Sequence, residues 1–94
     1  MTKHVKVTNF ISRTSGNPVR NQFIITDDNG TTFQSYNSTI AQKRHDGSIV
    51  LDRHYWDYST TTGKYRNQFL GLNKAQTLAA IKAGSIQLAD LNGG

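Results

Sequence analysis

The sequence predicts an α+β fold: a small, mainly antiparallel β-sheet of about six to eight short strands with one C-terminal helix packed on it. Three observations carry this. Asn29-Gly30 and Asp46-Gly47 each separate runs rich in Val, Ile, Thr, Tyr and Phe, and such pairs favour tight hairpins because they tolerate positive φ. The 6 acidic residues among the 94 are all Asp, and the absence of Glu, a common surface helix former, argues against a mostly helical chain. One stretch near the C-terminus, Asn73 to Gly84, carries clear helix start and stop signals.

The elements follow in order. Val5 and Val7 alternate with Lys6, so Lys3–Ser12 reads as an opening strand. Gln22–Thr26 and Thr31–Tyr36 form a hairpin about Asn29-Gly30, and Asn37-Ser38 leads into a second, Thr39–Arg44 and Ser48–Leu51, about Asp46-Gly47. Thr60-Thr61-Thr62-Gly63 reads as a third, longer turn between strands Tyr55–Ser59 and Lys64–Leu70. Asn73 is a good N-cap for a helix over Lys74–Ala83, Gln76 completes a capping box, and Gly84 fits the left-handed C′ position. Ala75, Leu78, Ala79 and Ile81 supply its docking face. Ile86–Leu91 returns as a last strand with Ile86 and Leu88 on one side, and residues 92–94 form a loose tail. Nothing in composition marks a linker, so residues 1–94 read as one domain.

Composition narrows function. Without Cys there is no thiol nucleophile, disulfide framework or thiolate metal site. No apolar run is long enough to span a bilayer, and the N-terminal residues lack a continuous apolar signal region, so a non-secreted cytoplasmic protein with no membrane partner is expected. The 11 basic residues exceed the acids to give +5. That excess suits either an anionic partner or simple solubility.

Two motifs stand out. Arg20-Asn21-Gln22-Phe23 recurs as Arg66-Asn67-Gln68-Phe69. Read as strands, both copies point the Phe inward and Arg with Gln outward, where they suit phosphate, base edges or a protein interface. The second motif, His54-Tyr55-Trp56-Asp57-Tyr58, packs three aromatics into five residues. Trp56 can anchor the core with the tyrosines flanking it, or the tyrosines can stack on bases while Arg53, Lys64 and Arg66 meet the backbone. The candidate binding residues are therefore Arg20, Gln22, Arg53, Tyr55, Tyr58, Lys64, Tyr65 and Arg66.

Catalytic chemistry finds little support. Thr62-Gly63-Lys64 lacks the upstream Gly and downstream Ser or Thr of a phosphate loop. Asp52 and His54 would share a strand face, but no metal-ligand spacing accompanies them. No Ser sits in a nucleophile elbow. The expectation is a non-enzymatic protein without catalytic residues, metal or cofactor.

Phe33-Gln34-Ser35-Tyr36-Asn37-Ser38, Val50-Leu51-Asp52 and the run from Trp56 to Gly71 resemble a family of short uncharacterised proteins of bacteriophages and prophages of Gram-positive bacteria. The resemblance covers about two-thirds of the chain, continues through Ile81 to Leu91, and carries no site residue with it. It implies a small viral protein in a bacterial cytoplasm. Together these features suggest a module contacting nucleic acid through a basic and aromatic sheet surface, with a phage effector that binds and inhibits a host protein as the alternative.

Overall fold

The computed structural model describes residues 5–92. Lys3 and His4 of the expected opening strand and Gly93-Gly94 of the expected tail lie outside that range. The chain forms β1 (Lys6–Ile11), β2 (Pro18–Asp27), β3 (Gly30–Ser35), β4 (Ser38–Arg44), β5 (Ile49–Asp52), α1 (Thr60–Leu70), α2 (Lys74–Ala83) and β6 (Ile86–Ala89). The strands make one six-stranded sheet in sequence order. The first four pairings are antiparallel; β5 and β6 pair in parallel, across a connection made of both helices. A parallel pair needs such a crossover because a tight turn cannot reverse the chain twice.

The pairing defines the faces. Ile24, Phe33, Ala41, Leu51 and Leu88 stand opposite one another across successive strands, so they share one face. The helices cover that face: the Phe69 ring of α1 lies 5.8 Å from that of Phe33, and Thr62 Oγ1 meets Ser35 Oγ at 3.1 Å. Phe10, Phe33, Ile40, Leu51, Phe69, Leu70 and Ile86 close a single apolar cluster between sheet and helices.

The hairpins form where the turn residues place them, with one adjustment. Asp27 pairs with Gly30, so the two-residue loop is Asp28-Asn29, and Gly30 opens β3 at φ 141°. Asp27 Oδ1 accepts the Asn29 N–H at 2.8 Å, an Asx turn that pins the loop one residue earlier. At the second hairpin Gly47 takes φ 89°, and Asp46 Oδ1 accepts both the N–H and hydroxyl of Ser48.

The largest correction is α1. The stretch expected as a turn and strand is helical from Thr60 to Leu70, so the described residues form two helices rather than one. Ser59 Oγ accepts the Thr62 N–H, and Gly71 ends the helix at φ 71°. Thr60-Thr61-Thr62-Gly63 has weak intrinsic helix preference, which tertiary contacts override: Thr62 is bonded to β3, Arg66 to the preceding turn and Phe69 to the core. The repeated tetrapeptide is thus strand in one copy and helix in the other.

α2 has the predicted bounds and capping box, with Gly84 left-handed. Its buried face differs. Thr77 is fully buried, Ala80 and Ile81 pack on the core, and Leu78 is 47% exposed. Thr77 can point inward because its hydroxyl returns to Asn73 O at 2.9 Å, which removes the cost of burying it. The expected tail is tied at its start: Asn92 Oδ1 accepts the Thr39 N–H and its Nδ2 donates to Thr39 O, at 2.8 and 3.0 Å.

Candidate functional site

Residues 53–58 leave β5 as a turn rather than the expected strand. Asp52 causes the departure. Its buried Oδ2 accepts the N–H groups of His54 and Tyr55 at 3.0 and 2.9 Å, while Oδ1 accepts that of Leu91 at 2.8 Å. Asp52 is therefore a structural fastener between this turn and the C-terminal segment, which explains it without metal or acid–base work. Burial raises its pKa, but hydrogen bonds from Leu91, Asn92, Tyr55 and His54 outweigh that and hold the carboxyl below the ordinary aspartate value.

One turn further on, Arg66 organises the next layer. It is 1% exposed. Nη1 donates to Trp56 O at 2.7 Å and to Asp57 Oδ1 at 3.1 Å, and Nη2 donates to Asn67 Oδ1 at 2.8 Å. The guanidinium lies 5.1 Å from the centre of the Trp56 ring, and Lys74 Nζ reaches the other Asp57 oxygen at 2.8 Å. The Lys74 hydrogen bond is the largest influence lowering the Asp57 pKa; burial opposes it, and Arg66 reinforces it. Asp57 thereby joins the turn to the middle of α1 and the first residue of α2.

This geometry sorts the sequence candidates. Arg66 and Gln22 are buried, and Gln22 lies on the helix-covered face opposite Ser35. Neither is on the outer surface expected from strand alternation. For Arg66 the reason is the helix; for Gln22 it is Asn21, whose φ of 63° breaks the alternation of β2 and leaves Phe23 only half-buried. Arg20 is exposed on β2, apart from the aromatic turn. Tyr65 is half-buried, with its ring edge-on to Phe10 at 5.6 Å. Trp56 packs against the core, whereas Tyr55 and Tyr58 are 38% and 48% exposed with their rings edge-to-face at 5.5 Å.

What converges is smaller and partly different. Tyr58, Lys64 and Lys74 line an open cleft of about 630 Å³ whose wall is Asp57, Arg66 and Asn67. The N-terminal end of α1 opens onto it through Ser59, Thr60 and Gly63 and adds a partial positive charge. Lys74 escaped the sequence reading. The available signal was that α1 and α2 carry Lys64, Arg66, Lys74 and Lys82 and no acid. A second open cleft, about 550 Å³ between the tips of the two hairpins, mixes Asp27, Asp28 and Asp46 with Lys43, Arg44 and His45. Its charges offset one another. Among the described residues no group of three or more His, Cys, Asp or Glu could hold a metal ion.

The sequence matches a family of unknown function (DUF8033) over residues 5–84. The chain belongs to this family. The matched span runs from β1 through α2, so it contains the tyrosine turn and every residue lining the cationic cleft. No curated protein and no solved structure matches the chain. No helix among the described residues is long and apolar enough to cross a membrane.

Two predictions arise from this geometry. Gly63 lies inside α1, and a Cβ there would meet the Arg66 guanidinium at 3.6 Å, an ordinary contact. Gly63→Ala should therefore raise stability by about 0.5–1 kcal/mol, read from its urea midpoint, because it removes unfolded-state entropy without strain. The second concerns acid. Asp52 and Asp57 both have lowered pKa values in the folded state. Their stabilisation is complete above the unfolded value of about 3.9 and is lost as pH falls through the lower folded values. Urea midpoints should be level near neutrality and drop below about pH 4, and Asp52→Asn should flatten that drop.

Proposed function

We propose that this protein is a non-enzymatic binding module that contacts nucleic acid through the side of the molecule formed by its two helices. One observation carries the reading: the helical layer holds four basic residues and no acid, and two of its lysines meet an exposed tyrosine at one cleft. Lys64 and Lys74 would neutralise phosphates, with exposed Arg53 beside the tyrosine turn. Arg13 extends the strip, since it is anchored through its N–H and guanidinium to Gln68, one turn beyond Lys64 on α1. Arg66 holds the scaffold rather than the ligand, and Arg20 would be at most an outlying contact. We further infer from the resemblance to small phage and prophage proteins that it works in the cytoplasm of a bacterial host.

Binding should be salt-dependent. Polarisation titrations across a salt series should give a straight log–log plot, and Lys64→Ala should make its slope shallower by about 0.7–0.9, the loss of one phosphate contact. Absence of binding at low salt would overturn the proposal. A host protein bound through Tyr55 and Tyr58 as an aromatic hot spot would instead give affinity that changes little with salt.

A further inference from the structure

Building on the nucleic-acid reading, we infer that the ligand is single-stranded, with an unpaired base stacked on the Tyr55–Tyr58 pair and the adjoining phosphates on Lys64 and Lys74. The first ground is that these tyrosines are not used by the core. Trp56 between them packs inward, while both tyrosines stay exposed. Their rings meet at 82°, so the ring that presents its edge keeps both faces free of its partner. An aromatic face open to solvent is a stacking platform for any base.

The second ground is that the platform is fixed in advance. The turn is held at the N–H groups of His54 and Tyr55 by the Asp52 carboxylate, at the N–H of Trp56 by Asp52 O, at Trp56 O by Arg66, and at Asp57 by Arg66 and Lys74. Ser59 then caps α1. Loss of backbone freedom on binding is therefore small, which favours affinity from few contacts.

The third ground is spacing. Tyr58 lines the same cleft as Lys64 and Lys74, so base platform and cations act on neighbouring parts of one strand. A duplex hides its base faces in the stack and offers this cleft only phosphates. A single strand offers both. Stacking and charge use groups that DNA and RNA share, so single strands of either should bind.

The test is fluorescence polarisation at low salt with labelled oligo(dT), oligo(U) and a duplex, each about twelve nucleotides long. Both single strands should bind at least about ten-fold tighter than the duplex. Tyr58→Ala should weaken single-strand binding about five-fold or more and leave duplex binding unchanged, whereas Tyr58→Phe, which keeps the ring, should stay within about two-fold of the parent. Tyr55→Ala and Tyr55→Phe should repeat the pattern. Both side chains are exposed, and the thermal midpoint of each variant controls for folding. Equal affinity for duplex, or unchanged single-strand binding in both alanine variants, would overturn the inference and leave the nucleic-acid reading standing. No binding to any of the three would overturn both.

Discussion

Arg66→Ala should cost about 2–4 kcal/mol of stability, measured by urea unfolding. The substitution removes a buried side chain and leaves Trp56 O and Asn67 Oδ1 without their donor. An unsatisfied buried acceptor costs about 1–3 kcal/mol; these two are part-buried and sit toward the low end, and the cavity adds to this. Asp57 limits the total, because it keeps Lys74 and is partly exposed. That remaining pair is solvated at its Lys74 end and contributes about 0.2–1 kcal/mol. Arg66→Lys should recover only part of the loss, because one ammonium cannot reproduce a planar fork that serves Trp56, Asp57 and Asn67 at once. An Arg66 at the surface, meeting phosphate, would give the opposite pattern: unchanged stability, with Lys a fair substitute.

Gly30→Ala should cost about 3–5 kcal/mol, or prevent folding. Gly30 stands at φ 141°, a backbone region that L side chains rarely adopt, and holding another residue there costs about 1–3 kcal/mol. Space adds the larger obstacle. A Cβ would lie 2.1 Å from Lys43 O and 2.9 Å from Arg44 Cα. Both are backbone atoms of the neighbouring strand, so relief requires β3 and β4 to separate at the end where Gly30 pairs with Arg44. Gly47→Ala is the control. Its φ is 89°, but nothing lies within 4 Å of the added Cβ, so only the conformational cost of about 1–2 kcal/mol applies. Equal losses at the two glycines would show that the close approach of β3 to β4 is wrong.

The contrast between the helices explains how much of the fold the sequence makes legible. α2 is read to the residue because its signals are local: Asn73, Gln76 and Gly84 act on backbone groups within one turn of themselves. α1 has the same kind of ends in Ser59 and Gly71. Its interior starts with three Thr and a Gly, and what makes it helical comes from residues distant in sequence: Ser35 for Thr62, Phe33 for Phe69. The recurring Arg-Asn-Gln-Phe makes the point directly, since the same four side chains serve as strand and as helix. The parallel pairing of β6 is equally nonlocal, because it depends on both helices packing on one face.

The site follows the same rule. Exposed tyrosines flanking an inward Trp56 are legible, because placing Trp56 in the core needs only the local run of aromatics. Arg66 is misplaced because strand alternation and helical periodicity send it to opposite environments. Lys74 is invisible until α1 and α2 are brought together at Asp57. The net +5 is therefore unevenly spread: at the hairpin tips Asp27, Asp28 and Asp46 are offset by Lys43 and Arg44, while every charged residue of the helices is basic.

The most direct test of a nucleic-acid interface on the helical side is a titration of the labelled protein with oligo(dT), followed by backbone amide NMR shifts. Shifts should concentrate in residues 53–64 and around Lys74, and the hairpin tips at Asp28-Asn29 and Asp46-Gly47 should stay still. Shifts confined to the hairpin tips or to the sheet face away from the helices, or no shifts at low salt, would contradict it.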